Sequence, residues 1–292
     1  MSIKNCELKF QGNREGFSVF TSLEELRIID CPELIPSLVH EDKIDDQANG
    51  RWLLPCSLGV LDINDASAET LQPCFPGDLT HLTVLQVTEM NALMRMKSLQ
   101  LHSCTALEKL EIGDCESLEG VQFPRSLRYL EVYGCPGLPQ CLESLSTQGY
   151  ELCPRLERLQ IDDPSFLTTP FCKHLTSLQC LQLGGDKYLN IDAAGLTCEQ
   201  EAALLLLTSL QELRFEGYYK LSDLPVGLHS FLSLKRLAIS YCPNISRLPE
   251  RGLPPSLEEL EVLHCREELT EQCRTLATSK LKVIIDEEYV KL

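Results

Sequence analysis

Leucine recurs along this chain at a spacing that neither a helix nor an isolated strand explains. Counting from Leu23 as position zero, Leu26 and Ile28 follow at plus three and plus five, Cys31 at plus eight and Leu34 at plus eleven. The frame restarts at Leu58, Leu82, Leu107, Leu127, Leu156, Leu178, Leu210, Leu234 and Leu257. Positions zero and plus three are leucine in all ten frames, and plus five is always apolar, from Ile28 and Ile63 to Ile239 and Val262. Apolar residues fill plus eleven in eight frames. A pattern kept this strictly is the signature of a leucine-rich repeat.

Positions plus three and plus five lie two apart, so on a strand they share one face, while plus two, four and six take the other. One coil cannot enclose its own leucines. Stacked coils share a continuous core, and their short strands pair side by side. The pattern therefore predicts an α/β repeat solenoid: a curved leucine-rich-repeat superhelix of about 11 coils. It has a parallel β-sheet on its concave face and an irregular convex side with few short helices. Residues 1–292 read as a single leucine-rich-repeat domain. Its first coil, 1–22, is truncated, because Ile3 and Cys6 match plus five and plus eight of a frame whose start is missing. An uncapped coil exposes leucines, so self-association through the amino-terminal end is expected.

Frame spacings run 35, 24, 25, 20, 29, 22, 32, 24 and 23 residues, and the two largest mark insertions. An acidic one at about 39–51 contains Glu41-Asp-Lys-Ile-Asp-Asp-Gln-Ala-Asn-Gly50, which reads as a solvated loop. In the other, at about 186–207, Thr197 and Gln200 form a capping-box pair before an apolar run, predicting a short helix over 198–207. A terminal helix from Glu267 and a strand over 281–285 close the pattern, spanning about 267–285. Met96, Leu99, Leu101, Cys104 and Leu107 also fit a frame, but adopting it leaves too few residues before the next strand. That stretch is assigned to the outer side of the preceding coil.

Composition narrows the functional classes. Of 292 residues, 55 are leucine and 15 cysteine, with a net charge of −17 and a pI of about 4.8. Such acidity argues against a nucleic-acid binder, which needs a basic surface to neutralise phosphates. The longest apolar run, Ala202 to Leu207, is too short to span a bilayer. No apolar signal region opens the chain and the cysteine count is odd, so a reducing, cytoplasmic location is expected.

Five cysteines stand at plus eight: Cys31, Cys115, Cys135, Cys242 and Cys265. There the side chain turns inward as the strand ends, and a small thiol fits a slot facing backbone groups. No Cys-x-x-Cys occurs and no histidines fall at i, i+4, so neither a metal nor another cofactor is expected. Phosphate-loop, dinucleotide-binding and nucleophile-elbow motifs are also absent from the sequence, and the chain is read as no enzyme.

The concave face is the informative surface. Positions plus two, four, six and seven in ten frames hold five basic residues against fourteen acidic ones, a net of −9. Tyrosines and arginines, which dominate protein interfaces, gather as Tyr129, Tyr133 and Arg158, then Arg214, Tyr218, Arg236 and Tyr241, with Glu131, Asp162, Glu216 and Glu261 among them. Solvation explains the charges but not the tyrosines. These eleven residues are the expected protein-binding site.

Leu175-Thr-Ser-Leu-Gln179, Leu207-Thr-Ser-Leu-Gln-Glu-Leu213, Leu224-Pro-Val-Gly-Leu228 and Arg247-Leu-Pro-Glu-Arg-Gly-Leu-Pro-Pro-Ser-Leu-Glu-Glu-Leu260 carry a family likeness. In them the chain resembles the carboxy-terminal repeats of plant intracellular nucleotide-binding leucine-rich-repeat disease-resistance proteins. The tail, Leu269-Thr-Glu-Gln-Cys-Arg274 through Lys280-Leu-Lys-Val283, resembles the cereal members. The resemblance implies effector recognition, autoinhibition, or both, in plant innate immunity. The implied partner is a pathogen effector or the receptor's own nucleotide-binding module. The alternative is the substrate-recognition repeat domain of an F-box-type ubiquitin-ligase adaptor. Repeats of that kind run on from the plus-eight cysteine into a Thr-Asp-x-Gly-like helix start, where this chain has Cys135-Pro-Gly-Leu138 and Cys242-Pro-Asn-Ile245.

Overall fold

The computed structural model describes residues 1–5, 16–31, 34, 39–40, 51–52, 54–64, 79–88, 98–101, 104–115, 118, 120–145, 153–184 and 195–290. They fall into two compact units, Met1–Arg155 and Leu156–Leu292.

The first unit contains β1 (Ser2–Lys4), β2 (Glu25–Ile29), β3 (Val39–His40), β4 (Arg51–Trp52), β5 (Val60–Asn64), β6 (Val84–Thr88), β7 (Ser98–Gln100), β8 (Lys109–Gly113), β9 (Gly120–Gln122) and β10 (Tyr129–Tyr133). Its main sheet runs β1-β2-β5-β6-β8-β10, with every neighbouring pair parallel. The register follows the frames: Leu26, Leu61, Leu85, Leu110 and Leu130 sit in one row, and all are fully buried. Residues 98–100 add no strand to this sheet. They pair with β9 in a separate two-stranded ladder, so the sheet passes directly from β6 to β8.

The second unit contains β11 (Arg158–Ile161), β12 (Cys180–Gly184), β13 (Glu212–Glu216), β14 (Arg236–Ser240), β15 (Glu259–Leu263), β16 (Lys282–Ile285) and β17 (Glu288–Tyr289). The first six are parallel in chain order, and β17 folds back antiparallel on β16. Leu159, Leu181, Leu213, Leu237 and Leu260 make the same buried row. Each unit is thus an α/β repeat solenoid of the leucine-rich-repeat kind. Burial of these aliphatic side chains, roughly 1.5–3 kcal/mol each, is the driving force, and it arises only between coils.

A left-handed residue follows the strand in several coils and throws the next side chain inward. Asp30, Asp114, Gly134 and Gly217 take this turn with φ between 51° and 66°. Glycine, asparagine and aspartate adopt it readily. Tyr241 (φ 54°) and His264 (φ 49°) take it as well, at about 1–2 kcal/mol each for a side chain of that size. The cysteine that follows uses the slot as expected. Cys31, Cys115, Cys135 and Cys242 each donate to the carbonyl two residues back at 3.2–3.3 Å, and Cys265 does so at 3.5 Å.

The capping box predicted at residue 197 is present. Thr197 Oγ1 accepts from the Gln200 N–H at 3.2 Å, Gln200 Oε1 accepts from the Thr197 N–H at 2.8 Å, and the helix runs Cys198–Leu205. The terminal helix spans Glu267–Arg274. Elements that the leucine count does not register include a helix at Leu138–Leu145, a 3-10 turn at Pro164–Thr168 and a single helical turn at Pro170–Lys173. They begin at or within one residue of a proline, and their periods are too short to register. Most of the acidic insertion, 41–50, and the start of the second, 186–194, lie outside the described residues. The first insertion is flanked by the antiparallel pair β3–β4.

Burial pushes the thiols of Cys153, Cys172, Cys242 and Cys273 up to about 12, whereas Cys56 and Cys198 are exposed. A thiol reagent reacts as the thiolate. Native protein is therefore expected to label at Cys56 and Cys198 within minutes, and at those four buried sites only as it unfolds. Mass spectrometry of time-quenched samples checks the order, and fast native labelling of Cys242 would contradict it.

Candidate protein-binding faces

Side chains at plus two, four and six of each coil stand on the face of the sheet opposite the leucines, so neighbouring coils align them in rows. In the second unit the plus-two row reads Arg158, Cys180, Glu212, Arg236, Glu259 and Lys282. After Cys180 the signs alternate at each strand, about 4.8 Å apart. Glu212 lies at the hub. Arg214 grips its carboxylate through Nε at 2.6 Å and Nη2 at 2.5 Å, Arg158 Nη2 stands 3.5 Å away and Arg236 Nε 3.6 Å away. Burial works to raise the Glu212 pKa. The charges of Arg214 and Arg236, with hydrogen bonds from Arg214 and Cys180, outweigh it and hold the carboxyl below its ordinary range. Arg236 also donates to Glu261 from Nη2 at 2.7 Å. Its Nε lies 3.0 Å from Glu259 Oε1, an ion contact in which the N–H is not aligned on the oxygen. Glu216 accepts from Gln182 at 2.7 Å. Arg158, Arg214, Glu216, Arg236 and Glu261 therefore share one face as expected, but the arginines already pair with glutamates of that face and Glu216 is held by Gln182.

The first unit presents a different face. Its plus-four row is Arg27, Asp62, Gln86, Glu111 and Glu131. Gln86 donates to Glu111 at 2.5 Å, the Tyr129 hydroxyl donates to Glu131 at 3.0 Å, and the Lys109 ammonium lies 4.9 Å from the centre of the Tyr129 ring. Desolvation raises the Asp62 pKa in spite of Arg27. Val60 and Val84 stand in the plus-two row beside these acids, half-buried on the polar side of the sheet. Tyr129 and Glu131 are half-buried and lie on this face as expected.

Three expected site residues are not exposed anchors. Tyr218 is 1% exposed. It occupies plus eight, the inward slot that cysteine fills in other coils, and its hydroxyl reaches the Asp162 carbonyl at 3.5 Å. Asp162 itself is 8% exposed. Tyr133, also at 8%, lies over Gly113 of the neighbouring strand, where an added Cβ would stand 2.0 Å from its ring. In both tyrosine cases a glycine one coil earlier leaves room for the ring, because Gly184 does the same for Tyr218.

Tyr241 is exposed, at the edge of the face, and brings two residues the sequence reading missed. Its ring lies 4.9 Å from that of His264, and His264 donates its backbone N–H to Asp286 Oδ1 at 2.9 Å. Frame alignment carries the signal for His264, since it repeats plus seven one coil after Tyr241. Glu212 could likewise be found by reading across frames at plus two rather than along one strand.

Repeated coils, a buried leucine row and a patterned polar face of the sheet define a fold of the leucine-rich-repeat class. Compared with known proteins, the chain is 28% identical over 210 residues to "Disease resistance protein RPS4B" of Arabidopsis thaliana, a match covering 64% of this chain. The match spans 18% of that relative's length. No protein-family profile matches the chain. Among the described residues no helix is long and apolar enough to cross a membrane.

Proposed function

We propose that this chain is a non-enzymatic, cytoplasmic protein-interaction module of plant immunity, serving effector recognition, autoinhibition of a parent receptor, or both. The observation that carries the reading is the pair of patterned sheet faces, one acidic and part-apolar, the other an ordered arginine–glutamate network. Similarity to a plant disease resistance protein supports the defence context. A network of fixed charges suits recognition because its arginine forks are already oriented before a partner arrives.

Purified effectors of pathogens that the source plant resists, and the nucleotide-binding module of the parent receptor, serve as test partners for the full chain. Truncating an anchor, as in Tyr129→Ala or Arg158→Ala, should cost about 2 kcal/mol of binding. Reversing a rim charge, as in Glu259→Lys, should slow association of a basic partner in a way that fades with salt. Normal binding by the face variants, with loss only in an outer-side variant such as Leu232→Glu, would sink the proposal.

A further inference from the structure

At the end of the second unit, two aromatic side chains sit where the backbone favours asparagine or glycine. Tyr241 and His264 both have left-handed φ, in successive coils, and each follows directly on the end of its strand. The cysteine slots beyond them do not require it, since Gly134 and Gly217 make the same turn without any side chain. Nor does burial explain the rings. Tyr241 is 40% exposed and the His264 side chain 58%. What the conformation achieves is to place the two rings in contact, centres 4.9 Å apart and tilted by 52°, while both residues stay solvent-exposed.

A carboxylate completes the arrangement. Asp286 Oδ1 accepts the His264 backbone N–H at 2.9 Å and lies 3.8 Å from His264 Nδ1. In the preceding coil the Tyr241 N–H instead finds the Leu263 carbonyl at 2.9 Å, so the Asp286 side chain takes the place of a strand carbonyl. Fixed through Oδ1, the carboxylate is 55% exposed. Glu287 and Glu288, both exposed, follow it in the chain and add to the negative potential.

An exposed aromatic pair beside an anchored, solvent-exposed carboxylate has the chemistry of a guanidinium site. A flat cation can stack on the rings while its N–H groups meet the carboxylate oxygen. An ammonium has no plane to stack and holds its water more tightly. We infer that Tyr241, His264 and Asp286 form a docking corner for an arginine side chain of a protein partner. The inference rests on the reading of this chain as an interaction module and names one residue type its partner would present.

The test needs no identified partner. The full chain is labelled with 13C in its histidine and tyrosine rings and titrated with N-acetyl-arginine amide, then with N-acetyl-lysine amide. Saturable shifts of the Tyr241 and His264 ring signals are expected in the millimolar range, with the lysine compound several-fold weaker. Asp286→Asn retains an acceptor for the His264 N–H and should weaken arginine binding about fivefold. Tyr241→Asn discriminates most sharply. It suits the left-handed turn, so the melting midpoint should rise by about 2 °C while the His264 response to arginine disappears. The inference is overturned if both rings stay unmoved at tens of millimolar arginine, or if lysine acts equally well. It is also overturned if Tyr241→Asn keeps the His264 response, or lowers the midpoint, which would make the ring a packing element. Loss of this corner would leave the larger sheet faces, and the function proposed for them, untouched.

Discussion

Gly184→Ala is expected to lower stability by about 3 kcal/mol, and no change at Tyr218 should restore it. Gly184 has φ +92°, a region that costs any L side chain. An added Cβ would also stand 1.9 Å from the Glu216 backbone oxygen and 2.8 Å from the Tyr218 ring. The first contact is with the next strand, which is hydrogen-bonded in register and cannot retreat without breaking the ladder. Gly113→Ala offers the contrast. No left-handed φ is required there, and the three atoms that the methyl group would meet first all belong to the Tyr133 side chain, at 2.0–2.3 Å. A cost of about 2 kcal/mol is expected for that overpacking, and much of it should vanish when Tyr133 is also truncated. Equilibrium urea unfolding of both double-mutant cycles measures the difference. Equal coupling in the two cycles would mean that the strand, not the ring, yields at Gly184.

Tyr218→Ala is expected to cost about 4 kcal/mol, as for other large buried aromatics, whereas Tyr218→Phe should cost less than about 1 kcal/mol. The ring is fully buried between coils, and its hydroxyl makes a single long bond, 3.5 Å, to the Asp162 carbonyl. Burial and the charges of Asp163 and Asp162 also push the phenol's ionisation upward, so it stays neutral throughout the range in which the protein is handled. Urea unfolding reads both values. A small effect of the alanine variant would show instead that the ring is dispensable to the stack. Any loss of partner binding in Tyr218→Ala has to be corrected for unfolding before it is credited to contact.

The contrast between Tyr218 and Tyr129 shows what could be read from sequence. Plus three and plus five faced inward in every frame because a strand alternates its faces and leucine has nowhere else to go. Plus two, four and six gave the opposite face with equal security. Residue type alone misplaces Tyr218, since a tyrosine at plus eight follows the slot and not the preference of its hydroxyl. Tyr133 failed differently. Plus six does leave the sheet on the outer side, but Gly113 in the adjacent strand opens space that the ring fills. That information is non-local, and only the strand register joins the two residues. The same holds for Glu212, whose importance lies in having arginines from its own strand, from the adjacent β14 and from β11 two strands away. Helices at 138–145 and 170–173 were lost because the spacing of the leucine frame says nothing about the return path of the coil.

The shared hub at Glu212 has a consequence for how this surface can vary over generations. A substitution at Arg158, Arg214 or Arg236 alters the charge balance of one carboxylate on which the other two also depend. Interactions of this kind are non-additive by about 0.5–3 kcal/mol, so the fitness of one change hinges on which others came before it. The second unit's face is therefore epistatic, and new specificities are most accessible there through paired, sign-preserving exchanges between neighbouring coils. In the first unit Tyr129 bonds to Glu131 within its strand while Lys109 of the preceding coil lies over its ring, so there a change at Tyr129 is judged by selection against the residue that the neighbouring coil carries.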